Sequence, residues 1–114
     1  MATLTTQSIT RAGITPTYAA ANAGGDACEV GDDIFLHVKN TNAATRTVTL
    51  AIPAAASTYA NVAYTSTAVV VAATTGDMMI GPVSALYKDP TTGLCTITYS
   101  AATNVTVACV KLQA

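Results

Sequence analysis

The 114-residue sequence predicts an all-β fold, a single-domain antiparallel β-sandwich of seven or eight short strands. Three observations carry that expectation. Ile34, Leu36 and Val38 recur at every second position, as do Val48, Leu50 and Ile52, and again Cys95, Ile97 and Tyr99. A period of two places each set on one face of a pleated strand. The composition agrees: Ala, Thr and Val dominate and only 10% of residues are charged, and a branched Cβ packs well on a pleated surface. Short strand-like runs also recur between turn signals, with no long amphipathic helix to compete.

In chain order, Thr3–Thr10 reads as a Thr-rich first strand, although Leu4 and Ile9 do not alternate, and Arg11-Ala12-Gly13 breaks it. Ile14–Ala19 reads as a short second strand interrupted at Pro16. The Ala, Gly, Asn and Asp content of Ala20–Asp32 predicts a surface loop. The stretch Asp33–Asn40 and the stretch Thr45–Ile52 are expected to pair as a hairpin across the small, polar link at Asn40–Ala44. Thr47 and Thr49 fall on the face turned to water.

Pro53 lacks the N–H that a ladder needs and ends this unit. Ala54–Tyr59 fits a helical turn or a loop. Val62–Ala73 is strand-like, with Val69-Val70-Val71 expected to be covered on both faces. Thr74–Asp77 reads as a turn, Met78–Ile80 as a short apolar segment stopped by Gly81-Pro82, and Val83–Tyr87 as an edge strand or irregular crossing. Lys88–Gly93 suits a type I turn closed by a left-handed residue. Cys95–Ser100 and Val105–Leu112 form a second expected hairpin around Ala101–Asn104.

Several function classes lack their parts. The five basic residues, Arg11, Lys39, Arg46, Lys88 and Lys111, are scattered, whereas a nucleic-acid binder concentrates basic charge to displace counterions. The longest apolar run, Ala68–Ala73, is far shorter than the ~20 residues of a membrane span. The N-terminal residues show no export signal, so synthesis in a reducing cytosol is expected, with the odd number of cysteines, Cys28, Cys95 and Cys109, as free thiols.

A catalytic site needs a nucleophile, a base and an orienting group. The single histidine, His37, faces away from Ile34, Leu36 and Val38, beside Phe35 and Lys39, and supplies one element of such a site. Cys95 and Cys109 occupy regular apolar positions, where a thiol acts as a small hydrophobe. No CxxC pair suggests zinc. Asp26, Glu29, Asp32 and Asp33 are too irregularly spaced for a calcium loop and read as a solvated loop. Asn104-Val105-Thr106 matches a glycosylation acceptor by a pattern common in a Thr-rich chain. No enzyme activity, catalytic residue, metal or other cofactor is expected.

The succession of features across nearly the whole chain resembles the small capsid decoration (cement) proteins of tailed bacteriophages. Thr3-Leu4-Thr5-Thr6 through Ile9-Thr10-Arg11-Ala12-Gly13 comes first, then a small-residue acidic loop. Phe35-Leu36-His37-Val38-Lys39-Asn40 and Thr47-Val48-Thr49-Leu50 follow, then Ile80-Gly81-Pro82 and Tyr87-Lys88-Asp89. Thr96-Ile97-Thr98-Tyr99-Ser100 and Val105–Leu112 close the chain. The resemblance implies a non-enzymatic β-rich module on the virion exterior. It would bind the major capsid protein as a homo-oligomer, commonly a trimer.

Within a single domain 1–114, residues 1–12 are then expected to be an extended attachment arm. Thr3, Leu4, Thr5, Thr6, Gln7 and Ile9 are its candidate partner-binding residues, because an extended segment can add to another chain's sheet edge. Two other readings are an Ig-like adhesion or carbohydrate-binding module, using Tyr59, Tyr64, Tyr87 and Tyr99 as stacking faces, and a tail structural subunit.

Overall fold

The computed structural model describes residues 2–52, 58–59, 62–63 and 66–112. Its strands are β1 (Ala2–Thr3), β2 (Thr6–Ile9), β3 (Ala19–Ala20), β4 (Asp26–Cys28), β5 (Ile34–Asn40) and β6 (Arg46–Ala51). The second half adds β7 (Thr58–Tyr59), β8 (Val62–Ala63), β9 (Thr67–Val71), β10 (Gly76–Ile80), β11 (Cys95–Tyr99) and β12 (Val105–Leu112). The first sheet runs β1-β4-β11-β6-β9. The second runs β10-β5-β12-β2, with β3 sharing the edge of β12 that β2 occupies. β7 and β8 pair as a separate ribbon. The two sheets pack face to face as an all-β sandwich.

The alternation expected for β5 is seen residue by residue: Ile34, Leu36, Val38 and Asn40 are buried, while Phe35, His37 and Lys39 are half-buried on the other face. Val48 and Leu50 of β6, Cys95 and Ile97 of β11, and Val105, Val107 and Cys109 of β12 complete the core between the sheets. Each such aliphatic side chain contributes roughly 1.5–3 kcal/mol on burial.

The pairing differs from expectation. β5 and β6 do not form a hairpin: β5 pairs with β10 and β12, and β6 with β11 and β9. β11 and β12 likewise lie in opposite sheets. Both links are arches that carry the chain from one sheet to the other. The inward stripes of the joined strands meet across the core instead of lying side by side.

The sheets are mixed rather than purely antiparallel. β1 runs parallel to β4, and β2 parallel to β12. Ten strands, not seven or eight, make up the two sheets among the described residues. The additional ones are short and come from the first 28 positions, where period-two patterning is weakest. The surface loop expected at Ala20–Asp32 contains the fully buried strand β4. The second strand expected over Ile14–Ala19 is confined to β3.

Val70 is 61% exposed, so the valine run is not covered on both faces. β9 is an edge strand, and its outward face is open. The turn expected at Thr74–Asp77 is shorter, because β10 begins at Gly76. A Cβ there would lie 2.1 Å from the carbonyl oxygen of Ala72, and only glycine allows that approach. Val83–Tyr87 is an irregular crossing that ends in a 3-10 turn over Ala85–Tyr87. Gly93 has the expected left-handed backbone, with φ +74°. Pro53 and Ala54–Ser57 lie outside the described residues, as does Tyr64.

Candidate interaction surfaces

The N-terminal segment does not stand apart from the domain. Leu4 is buried in the core, and its amide donates to the carbonyl of Ala27 at 2.7 Å. Thr3 lies in β1 at one edge of the first sheet. Thr6, Gln7 and Ile9 lie in β2 at one edge of the second. Only Leu4 and Thr5 separate the two strands, so this segment closes one side of the sandwich by bridging both sheets. The Thr6 hydroxyl donates to a Glu29 carboxylate oxygen at 2.8 Å, and Thr6 Oγ1 lies 3.8 Å from Cys109 Sγ.

The two broad faces are unlike. On the second sheet, the chain's own residues cover part of the outer surface and leave Met79 of β10 exposed. The Gln7 amide group is doubly bonded to the backbone of Thr17, donating to its carbonyl and accepting from its N–H, each at 2.8 Å. This places Tyr18 over β5. The Tyr18 hydroxyl lies 2.6 Å from His37 Nδ1, and Lys39 Nζ sits 4.3 Å from the ring centroid. His37 Nε2 is bonded to the Asp77 carboxylate of β10. A carboxylate only accepts, so in the neutral ring Nε2 carries the proton and Nδ1 accepts from the phenol.

This Asp–His–Tyr chain has the connectivity of a proton relay. Here the phenol is engaged by the ring and shielded by Lys39, and the arrangement clamps Tyr18 and its neighbours to the sheet. The His37 side chain is accordingly only 13% exposed.

The outer face of the first sheet carries Thr96 and Thr98 on β11, Thr47, Thr49 and Ala51 on β6, and Ala68 and Val70 on β9. Thr49 stands directly beside Thr98 on one side and Ala68 on the other. Alternation against the buried Val48, Leu50, Val71, Cys95 and Ile97 turns all seven outward. No acidic or basic residue occupies an outward position on these three strands. The face is a plane of hydroxyls and methyls without charge.

The titratable groups singled out in the sequence are separated or sequestered. Glu29 receives Thr6, and Asp33 lies 4.0 Å from Lys111. Asp26 is no part of a solvated loop: it is 1% exposed and accepts from the Tyr99 hydroxyl at 2.7 Å. Burial and this carboxylate push the Tyr99 phenol well above its ordinary range. Tyr99 and Tyr87 are half-buried against the core and present no free aromatic platform.

The three cysteines, distant in sequence, converge. Cys28 faces Cys95 across β4 and β11, and Cys109 meets them from the second sheet. All are free and buried. The neighbouring Cys109 and Cys95 thiols, together with burial, push the Cys28 thiol well above its ordinary range. Among the described residues, no group of three His, Cys, Asp or Glu side chains is arranged to hold a metal ion. No described helix is long and apolar enough to cross a membrane.

Sequence reading missed Asp26, Tyr18 and Asp77 as interacting groups, since each acts through a partner tens of residues away. Asn40 was signalled only by its place in the inward series after Val38. The chain matches no family model, no curated protein and no solved structure.

Proposed function

We propose that this protein is a non-enzymatic module that decorates the exterior of a bacteriophage head, binding the major capsid protein as a trimeric homo-oligomer and reinforcing the shell. The observation that carries this reading is the asymmetry of the faces. One is partly covered by the chain's own Tyr18 clamp and carries the charged side chains of Lys39 and Asp77, and the opposite one is open, broad and uncharged. The molecule is a slab of 40 × 36 × 21 Å. Its broad face is wide enough for an interface of about 800 Å² per partner, the size usual for a specific complex. An uncharged plane favours contact through apolar fit and hydroxyl hydrogen bonds over electrostatic steering, so moderate salt should not release it.

Reinforcement follows from linkage: a ligand that binds the assembled shell but not its dissociated subunits shifts the equilibrium toward the shell. An oligomer that bridges several capsid subunits also gains from high effective concentration, so each copy need bind only modestly. The carbohydrate-binding alternative draws no support from Tyr87 and Tyr99, whose rings are packed inward.

The test adds purified protein to undecorated mature capsids, sediments them and compares their melting. Cosedimentation with a raised shell melting temperature is expected. Failure to sediment with the cognate capsid would refute the proposal, and binding without added shell stability would remove the reinforcing role.

A further inference from the structure

A cleft of about 400 Å³ opens between the sheets on the side closed by β1 and β2. Small apolar residues, among them Leu4, Ala19, Ala20, Val107 and Ala108, form much of its wall. It exists because β3 covers the edge of β12 only at Thr106 and Val107, and β2 resumes only at Cys109. Asp26 is the acid among the residues lining this space, and no Lys or Arg lines it.

Asp26 is almost completely removed from water, yet the ion pairs among the described residues, His37–Asp77 and Lys111–Asp33, do not involve it. Its Oδ2 accepts from the Tyr99 hydroxyl at 2.7 Å and the Asn22 amide at 3.3 Å. Hydrogen bonds from neutral donors only partly offset the cost of a buried carboxylate, and a cation completes the compensation.

We propose that this cleft receives a primary alkylammonium group, the tip of a lysine side chain on the partner protein, which pairs with Asp26. The aliphatic stem of a lysine is suited to lie along alanine and leucine walls while its charge reaches a polar end. A guanidinium fits less well. Its planar fork seeks both oxygens of a carboxylate, and Oδ2 here already serves two donors. An ammonium is a point charge that needs only one oxygen. A divalent cation would require several further oxygen ligands, which the walls do not supply. The site chemistry stands on the cleft alone. Only the identity of the lysine's owner rests on the capsid-binding function proposed above.

The test titrates the isotope-labelled full chain with pentylammonium chloride and, separately, with 1-pentanol, following backbone amide resonances. The ammonium should shift residues around Leu4, Ala20, Asp26 and Ala108 with at least tenfold higher affinity than the alcohol. Asp26→Asn, whose side-chain oxygen can still accept from Tyr99, should bring that ratio close to one. Ala20→Phe, at the exposed mouth, should block both probes, and it tests the site independently if Asp26→Asn does not fold. Equal affinities in the native protein, or shifts confined to other regions, would overturn the site. Pentylammonium binding combined with unchanged capsid binding by folded Asp26→Asn would overturn the assignment to a partner's lysine. Loss of capsid binding by the native protein itself would count against the proposed function and leave the ammonium site standing.

Discussion

The Asn40 side-chain amide donates to the carbonyl of Ala72 at 3.1 Å, joining the end of β5 to the link between β9 and β10. The same amide donates to the Ala44 carbonyl at 3.0 Å, and its oxygen accepts from the Asn42 N–H at 3.0 Å. Asn42 in turn donates to the Asn104 side chain at 2.9 Å, and the Thr41 N–H to the Asn104 carbonyl at 3.1 Å. Three of the links that cross between the sheets, β5 to β6, β9 to β10 and β11 to β12, are thus bound together at one end of the sandwich. A fully buried polar residue supplies the centre of that network.

Asn40→Ala should therefore destabilise the domain far more than its position at a strand end suggests. It removes the donor to the carbonyls of Ala44 and Ala72 and the acceptor for the Asn42 N–H, partly buried bonds that contribute about 0.5–1.5 kcal/mol each. Chemical denaturation should show a loss of roughly 2–4 kcal/mol. A change below about 0.5 kcal/mol would mean that the network does not hold the arches.

Stability should fall at alkaline pH through Tyr99. Its phenol is raised above the ordinary value of 10.0 by burial first and by Asp26 second, so the folded state keeps a proton that the unfolded chain releases. That contribution is whole below pH 10 and declines by about 1.4 kcal/mol per pH unit above it. Tyr99→Phe should be less stable at neutral pH by about 1–2 kcal/mol, and its stability should fall less steeply between pH 10 and 11.5. Parallel slopes in the two proteins would contradict this.

Thiol titration of the denatured protein without reductant should find three free thiols. In the native protein the same reagent should react only as fast as the core opens, because Cys28, Cys95 and Cys109 are buried together. A stoichiometric disulfide, or immediate reaction of the folded protein, would refute this arrangement.

Deleting residues 2–10 should impair folding as well as any attachment. The deletion removes Leu4 from the core, a loss of about 1.5–3 kcal/mol, and uncovers the edges of β4 and β12. A truncated domain that melts at the native temperature would show that these strands add nothing to the fold.

On the open face, Thr49→Lys should leave the melting temperature within a few degrees of native, as exposed substitutions commonly do. It should weaken capsid binding at least tenfold, since an unpaired charge would then be buried at the contact. Lys39→Thr, on the clamped face, should bind normally. The reverse pattern would place the contact on the second sheet.

The positions of the long strands and the direction of their side chains were legible from local pattern alone. Ile34, Leu36 and Val38 face inward, and Thr47 and Thr49 outward, because a pleated strand alternates whatever its neighbours are. The left-handed Gly93 was legible for the same local reason. Which strands pair was decided only by the tertiary structure. An apolar stripe on β5 is buried equally well by a neighbour beside it or by a strand stacked opposite, so alternation cannot distinguish a hairpin from an arch. The arches depend on Asn40 reaching the Ala72 carbonyl, 32 residues away, and such a contact leaves no periodic trace. The same holds for the cleft: Asp26, Tyr99 and Ala108 come together only when β4, β11 and β12 do.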